Sequence, residues 1–325
     1  DMKALGVTSP EYKNATDHIP EVIKQVQTLL DKGNAYLIEN DPDASVGAGG
    51  IYFDLSTFPD YGKLSGRTAS MADDAVSRID DSDKKRNRGD FAVWKFSQKG
   101  DPSWPAPFGD GRPGWHIEDT SITDKYFGPQ YDIHGGGQDL IFPHHEAEIA
   151  QQESVSGLKP FVKYWMHAGF LINKSNKMSK SLGNFKTARD LLNGLSKHKA
   201  ETLRLYFLSA HYHAPLNFDE ILVNQSSVAV DRIADFLDKL ENVSGSENNS
   251  IEKHLKQSID KFYTSMDDDF NAPLAIASVF ELIRTVNPLL IKNKISAEQA
   301  ESLKTFLSTI KDILGIIPTP EKQKI

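Results

Sequence analysis

Tyr131-Asp132-Ile133-His134-Gly135-Gly136-Gly137-Gln138-Asp139 joins a short strand pattern to a run of three glycines. Three strand-like residues, Tyr131–Ile133, lead directly to a run of glycines, which lets backbone approach a ligand closely at the end of a strand. A tight turn explains the glycines equally well. Working outward, Phe91-Ala92-Val93-Trp94 and Ala168-Gly169-Phe170-Leu171-Ile172 are further short apolar strands. Gly/Pro loops and helical patterns separate them. This alternation predicts an α/β fold with a parallel sheet and its chemistry in the loops after strand ends.

Toward the N-terminus the pattern is simpler. Ile19, Val22, Ile23, Val26, Leu29 and Leu30 repeat at the spacing of one buried helix face. Thr16 or Asp17 can cap that helix, Pro20 suits its first turn and Gly33 ends it. Ala35–Ile38 and Ile51–Leu55 read as strands joined by a loop over 39–50. Past Thr187 the spacing is helical throughout, as in Leu203, Tyr206 and Phe207 or Val230, Ile233, Leu237 and Leu240.

The 325 residues suffice for two domains, and a composition of 39% hydrophobic and 25% charged residues is that of a globular protein. No apolar run suggests a membrane span, and no signal-peptide pattern opens the chain at Asp1. Cysteine is absent, which leaves no disulfide, thiol nucleophile or thiolate ligand within these residues and suits a reducing, cytoplasmic setting. A net charge of -8 argues against a generally basic nucleic-acid coat, although local patches decide contact. Lys84-Lys85-Arg86-Asn87-Arg88 is one such patch, open to reading as a phosphate contact or a solvated loop.

Three groups of residues point to chemistry. Lys177-Met178-Ser179-Lys180-Ser181, set among Asn, Ser and Gly, offers two ammonium groups on a polar loop able to fold over a triphosphate. His144 and Glu148, four apart on a helix, fall on one face about 6 Å apart and suit two ligands of one ion. Asp119 could bring a third oxygen. The alternative is that His144 caps or packs while Glu148 faces solvent. Asp139 can accept hydrogen bonds from a ribose diol, and Trp115 and His134 supply an aromatic wall and a polar tip, unless they are core residues.

Taken together, Gly111-Arg112-Pro113-Gly114-Trp115-His116-Ile117-Glu118, Asp132–Gly137, Phe142-Pro143-His144-His145-Glu146 and Lys177–Phe185 resemble the signatures of the cysteinyl-tRNA synthetases. Similar strings occur at Tyr61–Ser65, Leu203–Ser209 and Met266–Asn271, so the resemblance covers nearly the whole chain. It implies the second half of a class I Rossmann-like catalytic domain, with a connective insertion, followed by an all-α helical bundle. The implied segments are the insertion over 1–90, the catalytic half over 91–190, a stem-contact helical segment over 191–226 and a DALR-like tRNA-binding bundle over 227–325.

The resemblance further implies activation of cysteine by ATP, with Mg2+, to cysteinyl adenylate and transfer to tRNA(Cys). Lys177 and Lys180 would act on the departing pyrophosphate, Met178, Gly137, Gln138 and Asp139 would line the ATP site, and Trp115, His116 and His134 would shape the cysteine pocket. The family holds Zn2+ through two cysteines, a histidine and a glutamate. His144 and Glu148 match the last two, and Asp119 stands where a cysteine is expected. A carboxylate is a harder ligand than a thiolate, leaving a variant zinc site or a site without metal. The joint presence of His144 and Glu148 favours the first.

No His-Ile-Gly-His-type signature occurs in these residues. By resemblance it belongs ahead of Asp1, so the isolated chain is expected to be inactive in ATP–pyrophosphate exchange. Asp119-Thr120 with Tyr126–Gln130 resembles archaeal-type members. Two other functions stay open: a ligase passing cysteine to a small amine, and a non-catalytic synthetase-like remnant.

Overall fold

The structure of the chain is a computed structural model that describes residues 1–39, 49–67, 84–173, 176–177 and 186–319. It forms two compact units, Glu11–Ala168 and Asp1–Pro10 with Gly169–Ile325.

The first unit opens with helix α1 (Ile19–Asp31), which has Pro20 in its first turn and Val22, Val26 and Leu29 fully buried. Gly33, at φ 74°, lets the chain leave the helix and enter β1 (Ala35–Ile38). β1, β2 (Gly50–Phe53), β3 (Phe91–Phe96) and β4 (Gly111–Pro113) pair antiparallel in that order. The expectation that Phe91–Trp94 begins a parallel sheet is thereby corrected. Its Val93 and Trp94 are fully buried in an antiparallel meander, and an apolar run reads alike in either kind of buried strand.

The basic stretch at Lys84–Arg88 has a structural role that neither sequence reading foresaw. The Arg86 guanidinium lies over the Tyr36 ring at 4.2 Å and pairs with Asp54 at 3.1 Å. The Tyr36 hydroxyl donates to buried Asp90.

The parallel element is β5 (Tyr131–Gly137) against β6 (Val162–Ala168), in register from Tyr131↔Val162 to Gly137↔Ala168. Helix α2 (Trp115–Phe127) precedes β5, and α3 (Glu146–Ser156) crosses between the two strands. Ile117, Ile149, Ala150, Phe161 and Val162 join the same core as α1 and the meander. Each buried isoleucine, phenylalanine or valine among them contributes about 1.5–3 kcal/mol.

In the second unit β7 (Leu171–Asn173) pairs antiparallel with β8 (Asn176–Lys177) and parallel with β9 (Leu216–Asn217). The expected strand Ala168–Ile172 therefore shifts to Leu171–Asn173, and Leu216–Asn217 interrupts a region read as wholly helical. Helices α4 (Ala188–Gly194), α5 (Lys199–Phe207), α6 (Glu220–Glu241), α7 (Ser250–Asp267), α8 (Ala272–Ile291) and α9 (Ala297–Leu314) complete it.

Apolar stripes from α5 to α9 meet in one cluster built around Phe236, Phe262, Val279 and Leu303. Helix α8 is 20 residues long with a mean hydropathy of 1.6, which reaches the length and apolarity of a membrane span and corrects the reading that no such run exists. Its Ala275, Val279, Leu282 and Val286 belong to the helical cluster, and its Glu281 accepts a hydrogen bond from Lys261 at 2.6 Å.

Candidate metal centre

Helix α2 starts where β4 ends, and glycine is required at the joint. A Cβ on Gly114 would lie 2.0 Å from the Ala92 carbonyl oxygen of β3. This close approach sets Trp115 and His116 at the edge of the meander, with Asp119 one turn further along α2. The opposing side chains come from α3, where Glu148 lies in the first turn, and from the wider helical turn Ile141–His145 just ahead of it.

The two elements meet at His144. Its Nε2 lies 3.0 Å from Asp119 Oδ2 and 3.0 Å from Glu148 Oε1. Its Nδ1 lies 2.6 Å from His116 Nδ1. Trp115 stacks on the His144 ring with centroids 4.1 Å apart. With His116 neutral, an Nδ1–H on His144 can donate to it, which fixes the tautomer that turns Nε2 toward the two carboxylates.

Glu148 is fully buried, and neither carboxylate oxygen accepts an aligned hydrogen bond, although His134 Nε2 lies 3.4 Å from Oε2. The two other buried glutamates of α3 are saturated. Glu146 accepts from the backbone N–H groups of Gly62, Leu64 and Ser65 at 2.6–3.0 Å. Glu153 accepts from Lys63 Nζ at 2.6 Å and the Phe161 N–H at 3.0 Å. A buried carboxylate with no aligned hydrogen bond, facing ring nitrogens of His144 and His134 and the Asp119 carboxylate, suits a cation.

The electrostatics agree. Burial pushes His144 down, but its contacts with Asp119 and Glu148 outweigh that and hold it up at about 9. Burial lifts Glu148 to about 7 against the pull of His144. Positive charge is thus favoured between the carboxylates. Burial depresses His116 to about 3, His134 to about 4 and His145 to about 3, keeping these rings neutral.

Asp119, His144 and Glu148 each present a ligand atom, all within 4.8 Å of one another, so the donors present fit a borderline cation such as Zn2+. His134, His145 and Glu148 form a second such group that shares Glu148. His145 escaped the sequence reading. Its Nδ1 pairs with His167 Nε2 at 2.8 Å, a partner 22 residues away that no local spacing reveals.

The glycine run has an internal cause as well. A Cβ on Gly136 would come within 2.9 Å of the His145 ring, and one on Gly137 within 2.6 Å of Asp139 Oδ1. His134 and Trp165 face each other across β5 and β6 with ring centroids 4.9 Å apart, and Tyr131 adds its hydroxyl to His134 Nδ1. Gln138 and Asp139 form the short turn after β5. The structure therefore brings together Trp115, His116, Asp119, His134, His144 and Glu148. Lys177 closes β8, whereas Met178 and Lys180 lie outside the described residues.

Residues 1–228 match the family model for tRNA synthetases class I (C) catalytic domain, and residues 261–318 match the DALR domain. A cysteine–tRNA ligase of Carboxydothermus hydrogenoformans is 40% identical over 320 residues, covering 97% of this chain and 66% of the relative. One of Symbiobacterium thermophilum is 41% identical, covering 98% and 67%. The chain thus spans about two thirds of the length of these relatives.

Among solved structures, Mycobacterium tuberculosis methionyl-tRNA synthetase in complex with methionyl-adenylate superposes with a TM-score of 0.66 at 15% identity, covering 97% of this chain and 76% of that one. That likeness shows the fold. The amine-ligase and remnant readings gain no support from relatives named cysteine–tRNA ligase. A family match across more than half its residues, joined to these relatives, makes the chain a member of the class I (C) tRNA synthetase catalytic-domain family.

Proposed function

We propose that this chain is the metal-bearing part of a cysteine–tRNA ligase, which activates cysteine with ATP and Mg2+ and passes it to tRNA(Cys). The observation that supports it most directly is Glu148, a buried carboxylate that receives no aligned hydrogen bond, set 3.0 Å from His144 Nε2 and beside Asp119. Relatives bearing that name at about 40% identity point the same way.

In this reading Asp119, His144 and Glu148 hold Zn2+. A zinc ion, when bound, offers a position for the substrate thiolate and so separates cysteine from serine, whose neutral hydroxyl is a poor ligand. The protein's own groups do the rest. Trp115 and His116 fix the His144 ring, and neutral His134 closes the pocket beside Glu148. Gly137 closes a parallel strand and Gln138 and Asp139 follow it, the usual place for a nucleotide in such sheets. Met178 would join them at the ATP. Lys177 and Lys180 would stabilise charge on the departing pyrophosphate. The segments 1–90, 91–190, 191–226 and 227–325 keep the roles inferred above, and a cytoplasmic location belongs to the same reading.

The test uses the full-length protein. Zinc content, cysteine-dependent ATP–pyrophosphate exchange and cysteinylation of tRNA(Cys) are measured side by side, with serine as competitor. Expected are stoichiometric zinc, exchange with cysteine and little with serine. Exchange with cysteine in protein free of any metal would sink the zinc assignment, and absence of tRNA cysteinylation would sink the function.

A further inference from the structure

We infer that Gln25, on a helix that supplies none of the candidate ligands, is the positioning residue that sets the spacing of the metal site. The inference rests on the metal reading above and adds a residue to it.

Gln25 is buried on α1. Its Oε1 accepts from Thr120 Oγ1 at 2.6 Å and from Ser121 Oγ at 3.0 Å, both on α2. Its Nε2 donates to Gln152 Oε1 at 2.7 Å, on α3. Gln152 Nε2 in turn donates to Asp124 Oδ1 at 2.7 Å, back on α2. Thr120 follows Asp119 directly, and Gln152 lies one helical turn beyond Glu148. A single amide therefore ties α2 and α3 together beside each of the two carboxylate ligands, without bonding to either.

Apolar packing alone leaves this spacing loosely set. Val22, Val26, Ile117 and Ile149 share one core, but hydrophobic contact is non-directional and tolerates small slides and rotations of one helix on another. The four hydrogen bonds are directional. Thr120 and Gln152 are fully buried, so a shift that broke a bond would strand a polar atom away from water. A ligand set needs its donors held to within about 0.5 Å, which a directional network supplies and an apolar seam does not.

The experiment compares Gln25→Met with Val26→Ala in the full-length protein. The first keeps side-chain length and removes the three hydrogen bonds that Gln25 makes, while the second opens a cavity next door on the same helix. Zinc affinity is read by chelator competition, the ligand field by the visible absorption of Co2+, and stability by thermal melting. Gln25→Met should weaken zinc about tenfold or more and alter the Co2+ band, since groups behind the ligands are typically worth about 10–100-fold in metal affinity. Val26→Ala should retain affinity and band shape despite an equal or larger loss of melting temperature.

Unchanged affinity in Gln25→Met, or losses that track melting temperature in both variants, would overturn the inference. Should Gln25→Met not fold, Thr120→Val and Thr120→Ser decide, because valine removes the hydroxyl at constant volume and serine keeps it. Zinc weakened by valine and retained by serine supports the role, and equal affinity in the two overturns it. If the unsubstituted protein takes up neither Zn2+ nor Co2+, the metal reading itself fails, a result visible before any variant is made.

Discussion

Glu146 and Glu148 are both fully buried on α3 and two residues apart, yet they are built for different partners. Three backbone amides saturate Glu146, and none serves Glu148. Glu146→Gln should therefore cost about 1–3 kcal/mol of stability, because an amide nitrogen must face a backbone donor. Glu148→Gln should leave folding of the metal-free protein much nearer to the parent and reduce zinc affinity by about 100-fold or more. Urea denaturation and chelator competition on both variants check the pair, and the reverse assignment of losses would refute it.

Asp54 supplies a pH prediction at the same scale. Burial alone would raise its carboxyl, but bonds from Ser56 and Arg86 outweigh that and hold it below the ordinary value. Its folded pKa being depressed, its contribution is present above the unfolded pKa of about 4 and lost as pH falls through the folded value. Melting temperature of the parent should drop on acidification below that point, and Asp54→Asn should show a smaller drop.

At the scale of elements, β5 shows why adjacent glycines are not equivalent. A Cβ on Gly135 meets nothing nearer than the Met166 carbonyl oxygen at 3.4 Å, whereas one on Gly136 strikes His145 and Leu140 at 2.9 Å. Gly135→Ala should be tolerated. Gly136→Ala should lose about 1–3 kcal/mol by forcing the His145 ring aside, and should disturb the second histidine group with it. Equal denaturation midpoints for the two variants would show that the ring has room to move.

The helix periodicities of α1 and of the C-terminal bundle were legible because 3.6-residue spacing is a local property. Phe91–Trp94 reads as part of a parallel sheet for the complementary reason: strand partners are chosen at a distance, here Gly50–Phe53 and Gly111–Pro113.

Across the whole molecule, Arg204 draws together parts of one unit that are far apart in sequence. From α5 its Nε donates to the Leu314 carbonyl oxygen at the end of α9, at 2.8 Å, and its Nη1 to Leu5 near the N-terminus, at 3.3 Å. Arg204→Met keeps the apolar stem and strands both carbonyls. It should cost about 2–4 kcal/mol, with hydrogen exchange rising in α9 and around Leu5. Protection left unchanged at both ends would remove Arg204 from that role.

Taken by itself, the sequence determined the helices and the strand-to-glycine run at Tyr131–Gly137, and it offered the residues from which nucleotide and metal chemistry is proposed. Residue type, period and turn chemistry are written locally along the chain. It also placed His144 and Glu148 on one face, since four residues of helix fix their spacing. Only the tertiary structure decided that Asp119 and His144 meet 3.0 Å apart, that Glu148 is buried with no aligned hydrogen bond while Glu146 is saturated, and that His145 finds His167. Only the tertiary structure, too, revealed Gln25 behind them. Burial and hydrogen-bond partnership are set by segments distant in sequence, and no local pattern encodes which of several polar side chains will be left facing another with water excluded.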